Sequence, residues 1–298
     1  MSRTPTDRRL ALPRLGAALI LSLALLAVPT VVDAAPEATA AGQAKPRPSG
    51  FRIATLNLVY TLGPAALRHD VRKVINTRHP TVIGFQERRD TRPALRAALP
   101  DGWALRMPTT APGTDDNPIA YDKSVWRAKY SWPRLLAKHT WHRDAGNEAI
   151  DQYGVVTVLE HQRSGHTIRA ISFHMPNLIH NRATGGPNWS ERERLGAFWR
   201  MADSVREVAR STPKGQQFVG LCDCNVTESR DHSDALVKGE LTWPLALENN
   251  YSAAGYHFGW RIDYVMAERR ASYRIASWRV LHALRTDHPA VVTRFRKR

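Results

Sequence analysis

A carboxylate and a carboxamide follow one of the most apolar runs of the sequence. The run Phe218-Val219-Gly220-Leu221 predicts a short buried strand, and Asp223 and Asn225 come directly after it. Side chains two residues apart on an extended backbone project to the same side, so these two groups would stand next to each other. A proton acceptor beside a neutral donor suits a water molecule that is held against a phosphate. Acidic residues also end strands as turn formers, so this pair alone does not establish a site.

Polar side chains recur at the ends of other apolar runs. Asn57, Glu87, His174 and the pair Asp287-His288 each follow or precede a strand-like segment, and Asp263 lies just inside another one. Strand ends converge on one rim when two sheets pack face to face. The spacing therefore predicts a single polar pocket built from separate parts of the chain.

The remaining pattern predicts an α+β fold with mainly antiparallel sheets. Helices are expected over residues 64–79, 91–99 and 189–210. Strands are expected over residues 51–56, 81–85, 103–107, 117–121, 154–159, 167–173, 261–266, 273–280 and 290–295. Residues 138–152 read as a polar loop, and the stretch from Asn225 to about Gly259 reads as irregular. Many strands follow one another without a helix between them, which excludes a doubly wound parallel sheet.

The N-terminal residues have the composition of a leader. Residues 1–34 combine a basic start, an apolar run from Leu15 to Val32 and a small-residue cleavage pattern at Val32-Asp33-Ala34, so they predict a signal peptide and secretion. An uncleaved membrane anchor is the alternative. Residues 35–50 predict a disordered spacer, and residues 51–298 one catalytic domain, because no repeat or linker divides them.

The net charge indicates which class of molecule the protein binds, and the cysteine content indicates whether disulfides stabilise the fold. The chain has 43 Lys and Arg against 27 Asp and Glu, a formal net charge of +16, which favours polyanions such as nucleic acid or anionic lipid. A generic basic surface is the alternative reading. The two cysteines, Cys222 and Cys224, do not form a disulfide framework. Side chains two apart on a strand are poorly placed for a bridge, so we expect two buried thiols.

Six short motifs recur along the chain, each at the end of a predicted strand or just inside one. They are Thr55-Leu56-Asn57, Gln86-Glu87-Arg88-Arg89-Asp90, Ser172-Phe173-His174, Asp223-Cys224-Asn225, Ile262-Asp263-Tyr264 and Thr286-Asp287-His288. Their order is that of the endonuclease/exonuclease/phosphatase superfamily, and residues 51–298 resemble a secreted bacterial, deoxyribonuclease-I-like member. The resemblance implies a four-layered α/β sandwich with two mainly antiparallel sheets. It also implies metal-dependent hydrolysis of phosphate esters. The sequence departs from the usual pattern where Cys222 and Cys224 replace a glycine and a phenylalanine.

The resemblance implies a metal site and substrate contacts. Asn57, Glu87 and Asp287 match the metal-ligand positions, and oxygen ligands of this kind favour Mg²⁺, with Mn²⁺ or Ca²⁺ as alternatives. Arg89 matches an arginine that approaches the nucleic-acid backbone in deoxyribonuclease-like members. Tyr153 lies where some members place a site tyrosine.

The catalytic roles follow from the same motifs. His288 would transfer a proton or contact the scissile phosphate, and Asp263 would orient its ring, since a buried carboxylate needs a partner. Asp223 would orient or deprotonate the attacking water, Asn225 would donate to the phosphate, and His174 would be a second imidazole on the phosphate side. Whether Asp223 or a histidine is the general base stays open.

The sequence is compatible with three functions. The leading hypothesis is an exported, divalent-metal-dependent phosphodiesterase that hydrolyses nucleic acid as a monomer. The basic charge and the Arg88-Arg89 pair fit it, although a solvated charge run is the alternative interpretation of that pair. The second is the same site acting on a phospholipid or small phosphate ester, which Trp189, Trp243 and Trp260 would support if they lie in exposed loops. The third is a non-catalytic binding module, which would have lost site residues, and none of the expected residues is missing.

Overall fold

The computed structural model describes residues 50–88, 92–110, 113–141, 149–179, 189–225, 251–257, 260–268 and 271–298. The predicted signal peptide and residues 35–49 of the predicted spacer lie outside these ranges. Gly50, the last residue of the predicted spacer, is the first residue of a described strand. Within the described ranges, no helix combines the length and apolar character needed to cross a bilayer.

The described residues form twelve strands and three α-helices. The strands are β1 (Gly50–Asn57), β2 (Val82–Gln86), β3 (Trp103–Arg106), β4 (Ile119–Asp122), β5 (Trp126–Trp141), β6 (Ala149–His161), β7 (Thr167–His174), β8 (Gln216–Asp223), β9 (Tyr251–His257), β10 (Trp260–Glu268), β11 (Tyr273–Leu281) and β12 (Ala290–Lys297). The helices are α1 (Pro64–Arg78), α2 (Arg92–Ala98) and α3 (Arg192–Arg210), and a short 3-10 turn, Trp189–Glu191, precedes α3.

The strands form two six-stranded sheets. Sheet A has the order β11-β12-β1-β2-β4-β3, and sheet B has the order β5-β6-β7-β8-β10-β9. Each sheet has one parallel pair at its centre, β1 with β2 and β7 with β8, and its other neighbours are antiparallel. A helix connects each parallel pair, α1 in the first and α3 in the second, as a parallel connection requires. The prediction of mainly antiparallel sheets is confirmed.

Three apolar clusters separate the layers. One lies between α1 and α2 and the outer face of sheet A, a second fills the space between the sheets, and a third joins α3 to the outer face of sheet B. Their most buried members include Leu67 and Phe85, then Trp126 and Phe295, then Phe198. Burying a side chain of this size contributes roughly 1.5–3 kcal/mol. The predicted four-layered sandwich is therefore confirmed.

Two predicted loops are wrong. Residues 138–141 belong to β5 and residues 149–152 to β6, and these two strands pair with each other over most of their length. The pairing register shifts three times, between Ala128 and Tyr130 and twice more between Leu135 and Thr140, so the alternation that reveals a strand is interrupted. Residues 251–257, predicted as irregular, form the edge strand β9, whose small residues give a weak pattern.

The two sheets approach closely beside the ends of the parallel strands. Gln86 donates from Nε2 to Ser172 Oγ of sheet B at 3.1 Å, and its Oε1 accepts from Thr55 Oγ1 at 3.2 Å. A Cβ added at Gly84 would lie 2.7 Å from Leu221 Cβ and 3.0 Å from Ser172 Oγ. Glycine is required at this position because the opposite sheet fills the space that a side chain would take.

We expect Gly84→Ala to destabilise the fold by about 1–3 kcal/mol, because the added methyl forces the two sheets apart. Chemical denaturation followed by circular dichroism measures the change. Gly196→Ala is the control: it lies within α3, and the nearest atom to its added Cβ is the mobile end of Arg200 at 3.3 Å. This control should gain about 0.5–1 kcal/mol. Equal unfolding midpoints for the two variants would contradict the close approach.

Candidate active site

The predicted site residues come together at the carboxyl ends of the two parallel strand pairs. Asn57 is the last residue of β1, Glu87 follows β2, His174 ends β7 and Asp223 ends β8. Asp223 on β8 is flanked by one residue from each neighbouring strand. The pairing register places His174 of β7 on one side of it and Asp263 of β10 on the other. The carboxyl ends of parallel strands are a common position for ligand sites in α/β sheets.

The Asn57 amide connects the two sheets. Its Nδ2 donates to Glu87 Oε1 of sheet A and to Asp223 Oδ2 of sheet B, each at 2.9 Å. Asn57 is fully buried, and among the described residues its Oδ1 has no hydrogen-bond partner. An amide oxygen that is desolvated in this way is costly unless it binds a donor or a cation.

Glu87 is held in a constrained conformation. Its φ of 59° lies in the left-handed region, which a non-glycine residue adopts rarely and at a cost. The backbone N–H of Tyr60 donates to Glu87 Oε2 at 3.3 Å, so this carboxylate receives donors from the loop after β1 as well as from Asn57. The side chain is only 16% exposed, which excludes a freely solvated surface charge.

His174 lies between two carboxylates. Its Nε2 is 3.4 Å from Asp223 Oδ2, 3.8 Å from Glu87 Oε1 and 3.0 Å from Asn225 Nδ2. Asn225, with a φ of 49°, also donates from Nδ2 to Met175 O at 2.9 Å, and its backbone N–H donates to Asp223 Oδ1 at 3.1 Å. Burial lowers the pKa of His174, but the charges of Asp223, Glu87 and Asp116 outweigh it, and the pKa is raised.

Asp263 and His288 form a buried pair on the other side of Asp223. His288 Nδ1 donates to Asp263 Oδ2 at 2.9 Å, and His288 Nε2 points toward Asp223 Oδ2 at 3.7 Å. Burial raises the pKa of Asp263 to about 7, although the His288 charge opposes this. Burial alone would lower the pKa of His288, but Asp263 and Asp223 raise it to about 10. The order of the two pKa values keeps the proton on the imidazole near neutral pH.

The side-chain atoms that can bind a metal ion form two clusters, and Asp223 belongs to both. One contains Glu87, His174 and Asp223, the other Asp223, Asp263 and His288, and within each cluster the atoms lie within 4.8 Å of one another. The orphaned Asn57 Oδ1 adds an amide oxygen beside Glu87. Carboxylate and amide oxygens are hard donors of the kind that Mg²⁺, Mn²⁺ and Ca²⁺ prefer, so these residues fit a divalent cation.

Three predicted contact residues lie elsewhere or are not described. Asp287 is exposed and belongs to neither cluster, although its charge also acts on His288. Tyr153 is half-buried on β6, where its carbonyl accepts from Asn117 Nδ2 at 2.7 Å. Arg89 lies outside the described residues. The roles given to these three remain predictions.

Arg88 is a correction to the predicted substrate surface. Its side chain is 1% exposed, and Nη1 donates to the carbonyls of Leu58 at 2.8 Å and Val59 at 3.2 Å. The guanidinium therefore fastens the loop that follows Asn57 and is not available to a nucleic acid. Arg88 and Arg89 are adjacent and carry the same charge, so the sequence did not indicate that Arg88 is buried.

The cysteine prediction is also wrong, because Cys222 and Cys224 form a disulfide. The prediction assumed a continuous strand, in which Cα atoms two residues apart are separated by about 6.6 Å. Strand β8 ends at Asp223, and the Cα atoms of the two cysteines are 5.2 Å apart, within the range that a disulfide spans. The bridge encloses Asp223, the residue that both clusters share.

Asp70 is a functional candidate that sequence reasoning missed. It is fully buried on α1, and its carboxylate accepts from the backbone N–H groups of Arg285 and Thr286 at 2.8–2.9 Å. Thr286 Oγ1 in turn donates to Asn57 O at 2.9 Å. Asp70 therefore positions the loop that carries His288. Its signal was available, since an aspartate stands in the apolar stripe of α1 beside Leu67 and Val71.

Removal of the Asp70 carboxylate should displace this loop. We expect Asp70→Ala to cost about 2–4 kcal/mol of stability, because two buried N–H groups lose their acceptor, and to lower kcat in the fraction that stays folded. Asp70→Asn should recover part of both, since one acceptor oxygen remains. His69→Ala removes the exposed partner of the same carboxylate and should have little effect. Unchanged kcat in folded Asp70→Ala would exclude the positioning role.

The Asp263–His288 pair predicts a measurable shift in proton affinity. In metal-free protein, the His288 ring should titrate near pH 10, and Asp263→Asn should lower that pKa because the adjacent charge is gone. The unfolded value is about 6.5, so the raised pKa stabilises the fold below that pH and the contribution is lost as pH rises toward 10. NMR of the imidazole nitrogens measures the titration. Asp203→Asn, at an exposed carboxylate on α3, should leave it unchanged.

No protein-family model matches the sequence, and no curated protein sequence matches it. Solved structures do match. An endonuclease/exonuclease/phosphatase from Bacteroides vulgatus is 15% identical with a TM-score of 0.61, covering 84% of this chain and 100% of its own. D. rerio TDP2 complexed with a single-strand DNA product is 13% identical, with a TM-score of 0.60 and coverage of 84% and 100%. A mannosyl-6-phosphatase from Bacteroides thetaiotaomicron is 13% identical, with a TM-score of 0.53 and coverage of 82% and 99%. The chain has the deoxyribonuclease-I-like fold of the endonuclease/exonuclease/phosphatase proteins.

Proposed function

We propose that this protein is a divalent-metal-dependent phosphoric ester hydrolase that cleaves phosphodiester bonds in nucleic acid. The observation that carries the proposal is the convergence on Asp223 of two ligand clusters, from strands of both sheets. Three carboxylates and two imidazoles are desolvated together there, and only a function that uses their charges explains the cost of that arrangement.

Asn57 Oδ1 and Glu87 are the residues that would hold the cation, and we propose Asp287 as a further ligand. Bound there, the cation would neutralise the charge that develops on the phosphoryl oxygens. Mg²⁺ suits this donor set best, with Mn²⁺ or Ca²⁺ as alternatives. His174 is in the same cluster as Glu87, and its raised pKa favours the protonated ring, which would pair with the substrate phosphate.

Asp223 is the residue that would orient the attacking water. Its Oδ2 already accepts from Asn57, and it faces the Nε2 atoms of both His174 and His288. A water molecule that approaches this carboxylate would donate to it and lie in line with a phosphate bound near the two imidazoles. Asn225, whose backbone N–H fixes Asp223 Oδ1, would donate from its amide to a phosphoryl oxygen.

His288 is the residue that would contact the scissile phosphate or protonate the leaving oxygen. Its Nδ1 proton is held by Asp263, which fixes the ring orientation and turns Nε2 toward the pocket. The raised pKa keeps the ring protonated, so it suits a general acid better than a general base. Asp223 is then the general-base candidate, because its Oδ2 faces both imidazoles at the point where the water would be held.

Nucleic acid is the substrate class that charge favours. A formal net charge of +16 attracts polyanions over a long range, and the D. rerio structure with a similar fold holds a single-strand DNA product. We propose further that residues 1–34 direct export and that the mature protein is a secreted monomer. A signal peptide and a basic surface are both consistent with degradation of external nucleic acid.

The test compares metal-dependent turnover on plasmid DNA, RNA, sphingomyelin and a sugar phosphate. We expect Mg²⁺-dependent cleavage of nucleic acid that EDTA abolishes. Asp223→Ala and His288→Ala should each lose about 10²–10⁴-fold in kcat, because each removes a group that handles a proton or charge in the reaction. Asp203→Ala, which removes an exposed carboxylate on α3, is the control and should keep full activity.

Two outcomes would reject the mechanism, and a third would reject the proposed substrate. Cleavage that survives both substitutions, or that needs no divalent ion, excludes this mechanism. Turnover of sphingomyelin or the sugar phosphate in preference to both nucleic acids would keep the chemistry but replace the substrate. Mass spectrometry of the exported protein checks the leader separately, since a mature N-terminus near residue 35 is expected.

A further inference from the structure

A second cavity lies at the far edge of sheet A, away from the clustered carboxylates. It has a volume of about 450 Å³ and lies between α2 and the edge strand β3. Its charged lining residues are Arg92, Arg96 and Lys123, and its apolar walls include Pro93, Trp103 and Leu105. Every residue assigned above to the active site lies outside this lining.

The charge in this cavity is of one sign. No acidic residue lines it, and among the described residues no carboxylate forms an ion pair with Arg92, Arg96 or Lys123. All three side chains are exposed, and Arg96 Nη1 donates to Trp103 O, which fixes its guanidinium at the cavity wall. Uncompensated cations around an open cavity form a site for an anion, and a guanidinium suits phosphate in particular because it can donate two parallel hydrogen bonds.

The apolar walls indicate more than inorganic phosphate. Cavities of 300–1,000 Å³ hold small organic ligands, and about 450 Å³ is large enough for one nucleotide. The base of a nucleotide would pack on Pro93 and Leu105, and the phosphate of the same nucleotide would bind to Arg92 and Arg96. The combination matches a nucleotide unit better than a lipid headgroup, which would need apolar side chains exposed outside the cavity to receive its acyl chains.

The cavity is within reach of a substrate bound in the active site. Arg92 is five residues after Glu87, so their Cα atoms are at most about 18 Å apart, the reach of a fully extended chain. One strand of duplex DNA has a phosphate about every 3.4 Å along the axis, so this span corresponds to at most about five nucleotides. We propose that this cavity is a secondary subsite that binds a nucleotide of the substrate strand within about five positions of the scissile phosphate. The inference rests on the proposed function.

The experiment measures oligonucleotide binding by the full-length mature protein in EDTA, as a function of salt. Arg92→Ala/Lys123→Ala removes two cations and leaves Arg96, which holds Trp103 O. Each lost phosphate contact should lower the slope of log K against log salt by about 1, and the cavity would hold one phosphate, so the double variant should lose about 1. The affinity for a labelled 20-mer should fall about tenfold or more at low salt.

A charge-matched control lies at the opposite edge of the same sheet. Arg274→Ala/Arg279→Ala on β11 removes the same number of exposed cations. We expect its salt slope to stay near that of the wild type. Equal slopes in the two double variants would overturn the subsite, because the effect would then belong to net charge alone. Matching unfolding midpoints confirm that both variants are folded.

Cleavage separates this inference from the function on which it rests. Bis(p-nitrophenyl) phosphate and a dinucleotide are too short to reach the cavity, so Arg92→Ala/Lys123→Ala should hydrolyse both at the wild-type rate, while KM for a 12-mer rises about tenfold. Hydrolysis of none of these substrates by the wild type rejects the proposed function, and binding still tests the subsite. A KM increase that is the same at every length overturns the subsite. Loss of binding to phosphatidylglycerol vesicles with unchanged oligonucleotide binding also overturns it in favour of a lipid surface.

Discussion

The structure depends on keeping negative charges from two sheets within hydrogen-bond distance of one amide. Asn57 donates to Glu87 on one side and to Asp223 on the other, so a single side chain joins the layers at the site. Buried carboxylates at this separation repel each other and lose hydration, which favours their protonation or their separation. The amide, the two imidazoles and the backbone donors around Asp223 and Glu87 offset that cost only when all are in place. The pocket is therefore stable as a unit and sensitive to the loss of any one member.

The backbone makes this arrangement possible by using the same construction twice. In each sheet a strand, a crossover helix and a parallel strand bring two carboxyl ends side by side, with α1 in sheet A and α3 in sheet B. The Gln86 bridge and the glycine at position 84 then hold the two parallel pairs close enough for their ends to share ligands. The sequence has no detectable repeat, so the two strand–helix–strand segments share their backbone arrangement and not their residues. The candidate site lies where the carboxyl ends of the two parallel strand pairs meet.

Sequence reasoning identified the parts of this plan that leave a strong local pattern. Apolar runs that end in a polar residue, such as the one before Asp223, predicted the strands whose ends bring these polar side chains together, because buried strands are continuous in sequence. The arms of the β5–β6 hairpin were missed because their register shifts interrupt the alternation. The Cys222–Cys224 disulfide was missed because it depends on where the strand bends, and no local pattern marks that bend. Asp70 was visible as a charge in an apolar stripe, but its partners are 215 and 216 residues away.

Burial, and not charge count, decides which basic residues can meet a substrate. Arg88 and Arg92 are four positions apart, and both would be counted equally in the net charge of +16. Arg88 is buried, and its donors are used by the carbonyls of Leu58 and Val59, so it stabilises the loop after Asn57. Arg92 is exposed in a cavity without an acidic partner among the described residues. The first arginine holds the loop beside the clustered carboxylates, and the second is exposed to solvent. Sequence composition alone does not distinguish these two positions.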